Sequence, residues 1–171
     1  MNDELQQPPL TLSYDMELAS RSMHDDLCKL AKTGGAYTRD FSSHMFSGEA
    51  SYEKGWIRVA KGTYGLHALP EGLAVPPLLG LTCVRHKVRT PVTELYFITV
   101  DPIVRGTFVA SNLIHDLMGN SPHNIIGLNC MKDNERGLGF YKREGFKIVG
   151  EAIKGQAHRL ERHFTEEDWK T

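Results

Sequence analysis

Three stretches of this sequence predict a mixed α/β domain. "ELYFITV", Glu94 to Val100, is apolar on both faces, the mark of a central strand covered on both sides. Thr107 to Met118 carries two i, i+4 rows, Val109, Leu113, Leu117 and Ala110, Ile114, Met118, which make an amphipathic helix. "FKIVGEAI" and "AHRLERHF" read as two closing strands with a Lys-Gly-Gln turn between them. Helices alternate with strands early, and two strands pair late.

In chain order, Leu10 to Tyr14 reads as a short first strand. Asp15 to Lys32 reads as mostly helical, with Leu18, Met23, Leu27 and Leu30 apolar and no breaker before Gly34-Gly35. "AYTRDFSSHMFSGEASYEKG" carries mixed signals and receives no assignment. "WIRVA" reads as a strand. "KGTYGLHALPEGLAVPP" concentrates the breakers and reads as loop, or strand and loop. "LLGLTCVRHKV" reads as a strand, "TPV" as a turn, and "NIIGLNCM" as a further strand. Asp133 or Asn134 can cap a helix that runs through Tyr141 and ends at Gly145.

Composition sets bounds. A chain of 171 residues suits one domain with a real core. Charged residues are 24%, hydrophobic residues 40%, and the net charge is −1. That balance argues against broad nucleic-acid or membrane-surface binding but leaves room for a local basic patch. Cys28, Cys83 and Cys130 form no C-x-x-C pair, so no disulfide framework or zinc site is expected. Reduced thiols in a cytoplasmic protein are. The N-terminal "MNDELQQPPL" is no signal peptide, and "GLAVPPLLGLTCV" is too short to span a bilayer.

Two stretches carry chemistry. In "DPIVRGTFVASNLI", Asp101 to Ile114, a strand runs into a turn and then a helix. A helix N-terminus leaves about four N–H groups without partners and attracts phosphate. Arg105 adds a charge, Gly106 permits a tight turn, and Ser111 adds a hydroxyl. In "NERGLGFYKREGF", Asn134 to Phe146, Gly137 and Gly139 cost a helix roughly 1 kcal/mol each relative to Ala. That cost suggests a close approach. Tyr141 lies two turns after Asn134, on the same face.

Glu94 to Phe146 resembles the GNAT superfamily of acyl-CoA-dependent N-acetyltransferases. The family pattern is a strand ending in Val-x-Pro, then Arg/Gln-x-x-Gly-x-Gly/Ala opening a helix. A strand and Asn-x-x-Ala-x-x-Phe-Tyr-x-x-x-Gly-Phe follow. Val100, Pro102, Arg105, Ala110, Asn134, Phe140, Tyr141, Gly145 and Phe146 match in type and spacing. Phe108 replaces the middle glycine of the phosphate turn, and Gly137 replaces the alanine.

The resemblance implies a single 1–171 domain of the α+β kind, with a mixed, mostly antiparallel sheet, splayed central strands and flanking helices. Its 1–50 region would be helical and acceptor-facing, and 94–146 would hold acetyl-CoA. Pantetheine would lie along Phe97 to Val100, with Ile98 and Val100 as its contacts. Pyrophosphate would sit on Arg105, Gly106, Thr107, Phe108, Val109 and Ala110, with Ser111 beside them, and Asn134 would face the cofactor arm. The implied reaction is direct attack of a primary amine on the thioester.

In that reaction Tyr141 would donate a hydrogen bond or proton to the leaving sulfur. Full transfer from a phenol of pKa ~10 to a thiolate of ~8.5 is uphill by about 2 kcal/mol, which favours a hydrogen bond that strengthens as charge develops. Glu94 is the candidate base, directly or through water. His67, His115 and His158 are alternatives. No metal is implied.

Acceptors in view are a small-molecule or protein amine and, less favoured by the net charge, nucleic acid. Arg85, His86, Lys87 and Arg89 form a basic cluster that reads as a solvated hairpin tip or as an attractor of an acidic acceptor or nucleic acid. A non-catalytic acyl-CoA-binding module is the rival from another class. A homodimer would be in keeping with the family, and no membrane association is expected.

Overall fold

The structure, a computed structural model, describes residues 13–35, 46, 49–62 and 76–170. The strands are β1 (Tyr14–Leu18), β2 (Ile57–Gly62), β3 (Leu78–His86), β4 (Thr93–Val100), β5 (Ile125–Met131), β6 (Lys147–Ala152) and β7 (Ala157–His163). The helices are α1 (His24–Lys32), α2 (Glu49–Glu53), α3 (Val109–Asn120) and α4 (Glu135–Arg143). All seven strands form one sheet in the order β1-β2-β3-β4-β5-β7-β6. Every pairing is antiparallel except β4 with β5. This is the mixed, mostly antiparallel sheet with flanking helices that the family resemblance implies.

The helix expected over Asp15 to Lys32 holds only in its second half. Asp15 to Leu18 lies in β1, antiparallel to β2. Tyr14 and Met16 alternate with Asp15 and pack on a core cluster, so a period of two decides that segment. Helical spacing starts with Met23, Leu27 and Leu30, which pack together. Of the expected first strand, Leu10 to Leu12 lie outside the described residues. So do His67 and most of the Gly/Pro-rich connection.

Two apolar layers sandwich the sheet. Leu27, Leu30 and Phe46 pack with Ile57, Val59, Leu81, Cys83 and Phe97. In a second cluster, Val109 and Leu113 of α3 meet Ala60 and Leu79. In a third, Ile114, Leu117 and Met118 of α3 meet Val84, Leu95, Ile126 and Leu160. The two helical rows read from the sequence therefore serve two core clusters, while Ala110 is only half-buried. Arg58 of β2 makes a bidentate pair with Asp116, fixing α3 to the sheet.

Candidate active site

The site begins with a defect in the sheet. β4 and β5 pair only at Thr93 with Ile126 and Glu94 with Gly127. Beyond Glu94 the strands separate. On its other edge β4 stays paired with β3 as far as Val100, but the register shifts. Val84 faces Leu95 and Cys83 faces Phe97, so Tyr96 is the extra residue of a β-bulge. The Asp101 N–H donates to the Leu79 carbonyl at 2.8 Å. Strand alternation then turns the N–H groups of Ile98 and Val100 the other way, into the gap. A cleft of about 1470 Å³ fills the space between β4, the turn after it, β5 and α4.

The turn after β4 is shaped by its own side chains. Asp101 accepts the Ile103 N–H at 3.0 Å and starts a short 3-10 turn, Pro102–Val104. Gly106 follows at φ +83, a backbone that side chains rarely tolerate. The Thr107 hydroxyl donates to the Val104 carbonyl at 2.6 Å and accepts the Val109 N–H at 3.4 Å. Arg105 N–H and Thr107 N–H also have acceptors within the turn. Among the described residues, the N–H groups of Gly106, Phe108, Ala110 and Ser111 have none. These four face the same opening, at the positive end of α3.

The predicted phosphate contacts thus separate by kind. Val109 is fully buried, and its side chain is core. The Ser111 hydroxyl donates to Glu144 at 2.6 Å, leaving its backbone N–H for a ligand. One Arg105 nitrogen donates to the Thr33 carbonyl at 2.7 Å, which holds the guanidinium at the cleft wall.

Phe108 takes φ −77 and ψ −2, ordinary helical values, so this position requires no glycine. Its ring is 80% exposed and packs in no core. Phe108→Gly is therefore expected to change Tm by no more than a degree or two. CoA affinity should move by threefold or less, because the open N–H groups belong to the backbone. Calorimetry with CoA checks this; a tenfold loss would show that the ring itself holds the ligand.

On the far side, Asn134 caps α4 by accepting the Gly137 N–H at 3.0 Å. A methyl at position 137 would come within 2.6 Å of the Asn134 amide nitrogen. The glycine at 137, where the family pattern has alanine, makes room for that cap. Gly139 meets only Arg143, at an ordinary 3.5 Å, so no protein group demands a glycine there.

Tyr141 stands in the cleft wall among other rings, with Phe140 and Phe146 at centroid distances of 5.3 and 5.6 Å. Among the described residues its hydroxyl has no partner. Burial, and secondarily the Cys130 thiol, pushes its pKa well above the usual phenol value. It therefore stays a neutral donor across the working pH range.

Glu94 stands where β4 and β5 part. Arg159 of β7 donates to both its oxygens, at 2.6 and 2.7 Å, and Lys87 adds a contact at 2.8 Å. Burial alone would raise the pKa of this carboxyl. The Arg159 and Lys87 hydrogen bonds outweigh it and hold the group below the usual value. To reach Glu94, Arg159 passes over the backbone of β5 at Gly127, where any methyl would overlap its guanidinium.

Ile98, Val100, Asn134 and Tyr141 line one cleft with Glu94 and with the turn residues Arg105 to Phe108, Ala110 and Ser111. His115 and His158 are not among the residues lining it. Sequence reasoning missed Arg159, the cleft-lining Arg136 and Arg143, and the bulge at Tyr96. The legible trace of Arg159 is the isolated glycine inside "NIIGLNCM", since a strand glycine often marks a close approach.

A sheet split beside a bulge, a helix N-terminus offering free N–H groups below it, and a neutral tyrosine across the gap define an acyltransferase cleft. The chain belongs to the GNAT superfamily of acyl-CoA-dependent N-acetyltransferases, and it transfers an acetyl group from acetyl-CoA to an amine. It is 40% identical over 138 residues to the 5-NmdU N-acetyltransferase of Pseudomonas phage PaMx11, a match spanning 80% of this chain and 89% of the relative.

Solved structures agree on the fold. Ard1 from Thermoplasma volcanium superposes with a TM-score of 0.65 at 17% identity, covering 91% of this chain and all of that one. The PaiA N-acetyltransferase of Thermoplasma acidophilum, solved with coenzyme A, gives 0.61 at 16% identity, covering 90% of this chain and 100% of that one. No family model matches the sequence. Membership in this family does not favour the non-catalytic module. Among the described residues, no helix is long and apolar enough to cross a membrane.

Proposed function

We propose that the chain acetylates a primary amine carried at the 5-position of a deoxyuridine base. The acceptor class comes from the phage relative, whose substrate 5-NmdU we read as 5-aminomethyl-2′-deoxyuridine. The chemistry rests on one observation: the free edge of β4 faces Tyr141 across a cleft closed at one end by the Glu94–Arg159 pair. Pantetheine would extend the sheet through Ile98 and Val100. Its pyrophosphate would take the open N–H groups of Gly106, Phe108, Ala110 and Ser111, with Arg105 beside them.

The amine lone pair attacks the thioester carbonyl, and a β4 N–H stabilises the oxygen as it gains charge. The C–S bond breaks, and the electron pair leaves with sulfur. The Tyr141 hydroxyl donates a hydrogen bond to that sulfur. The amine proton passes to solvent. Glu94 is a weak base in this setting, because two cations already hold it as an anion. We assign it the anchoring of the cleft's closed end, and any proton it receives would come through water. The whole 1–171 chain acts as one acyltransferase unit, with 94–146 holding acetyl-CoA. A cytoplasmic setting suits its three free cysteines.

The test is a panel of amines with acetyl-CoA, reading thiol release and product mass. The panel holds 5-aminomethyl-2′-deoxyuridine, spermidine, a lysine peptide and a peptide with a free N-terminus. The nucleoside should be acetylated with the highest kcat/KM of the four. Acetylation of a peptide or polyamine with the nucleoside inert would overturn the acceptor assignment.

A further inference from the structure

From the cleft wall outward, four side chains form a ladder of alternating rings and cations. Tyr96, the bulge residue, lines the cleft and is exposed at its rim. The guanidinium of Arg85 lies 6.0 Å from the Tyr96 ring and 5.0 Å from the Trp56 ring. The Lys54 ammonium lies 5.0 Å from the same indole. Arg89, exposed on the β3–β4 connection, adds another positive charge near this end of the sheet.

We propose that this ladder is the docking surface for a DNA acceptor, so that the enzyme acts on the base within a polynucleotide. The proposal rests on the deoxyuridine reading above. Three observations carry it. First, Lys54 and Arg85 crowd one indole, yet neither has a carboxylate partner among the described residues. Two cations, each 5.0 Å from the same ring and without an acidic partner among the described residues, favour an anionic guest, and a phosphodiester supplies one.

Second, rings interleaved with guanidinium and ammonium groups on one surface match what single strands require: planar groups, a guanidinium included, beside the bases and cations for the backbone. A flexible acidic peptide would use the cations but has no planar bases to lie against the rings and the guanidinium. Third, the ladder starts at the cleft. An enzyme that modifies a base must take it out of the stack or meet it in a single strand. A base entering the cleft past Tyr96 leaves its neighbouring nucleotides at the surface that Arg85 and Trp56 occupy. The net charge of −1 does not register this surface because acids elsewhere offset it.

The test compares three acceptors: the nucleoside 5-aminomethyl-2′-deoxyuridine, a single-stranded oligonucleotide carrying it internally, and the same strand in a duplex. Each is assayed with the full chain and with a Lys54→Gln, Arg85→Gln double variant, whose exposed sites leave the core intact. The single strand should exceed the nucleoside in kcat/KM by tenfold or more at low salt. That advantage should fall with salt and shrink in the double variant. The log–log salt slope of the variant should be smaller by about 1.4, the value for two lost phosphate contacts on a single strand. Turnover of the nucleoside should stay unchanged.

An oligonucleotide no better than the nucleoside, or a variant that weakens both equally, overturns the docking surface while leaving the acceptor assignment standing. If none of the three is acetylated while another amine is, the acceptor assignment has failed and the docking surface fails with it.

Discussion

Tyr141→Phe is expected to lower kcat by ten- to a thousandfold, on the order of a lost general-acid or hydrogen-bond contribution, with the KM for acetyl-CoA nearly unchanged. The ring keeps its packing against Phe140 and Phe146, so only the hydroxyl is lost. In the ground state that hydroxyl has no partner among the described residues, which leaves it free for a leaving group that forms only during reaction. A contact made to developing charge affects kcat and not binding.

The pH dependence supplies a second check. Burial favours the neutral phenol, so its pKa is raised and deprotonation moves to higher pH. Wild-type turnover should rise with pH as the acceptor amine loses its proton. It should show no falling limb from Tyr141 up to about pH 10, the ordinary tyrosine value. Pre-steady-state measurement of the acetyl-transfer step decides. Equal rates for wild type and variant would remove Tyr141 from the chemistry.

Gly127→Ala is expected to be as damaging as removing Arg159 itself. The added methyl displaces the guanidinium from Glu94, and the carboxylate, 9% exposed, keeps only Lys87. Breaking one side of a buried pair costs about 3 kcal/mol. For a chain of this size that lowers Tm on the order of 10 °C. The pair bridges β7 to β4 across β5 at the point where the strands part, so turnover should fall along with stability.

The sign with pH follows from Glu94. Its folded pKa is depressed, so the pair stabilises fully above the ordinary carboxylate range and loses that contribution as pH falls through the folded value. In Gly127→Ala, burial acts with one cation fewer against it. The gap between variant and wild type should therefore narrow below about pH 4, near the ordinary Glu value. Chemical denaturation of both proteins across pH measures this. A constant gap would mean that the alanine acts on packing alone.

The fold was legible wherever periodicity is local. The both-faces-apolar strand, the helical rows after Thr107 and the closing pair of strands each declare themselves within a dozen residues. β1 did not, because Asp15 to Leu18 is spaced ambiguously and its pairing with β2 is a contact across forty residues or more. The turn after β4 and the place of Tyr141 in the cleft wall were legible as a pattern of residue types. The use made of Glu94 was not, since its partner lies 65 residues away and only Gly127 hints at the crossing. The acceptor side was least legible. Lys54, Trp56, Arg85 and Tyr96 come from three separate segments, and no motif spans them.

The parting of β4 from β5 also makes the protein two leaves joined at a narrow spine. Four strands lie on one side and three on the other, joined within the sheet by two residue pairs and the Arg159 crossing, with α3 packed across both. On the proposed placement, a pantetheine arm laid along β4 would act as the missing strand and close the seam between the leaves. The donor would then be part of the scaffold until acetyl transfer ends. Each turnover would reopen a seam that the next acetyl-CoA must close, so depleting the donor is expected to lower the enzyme's stability.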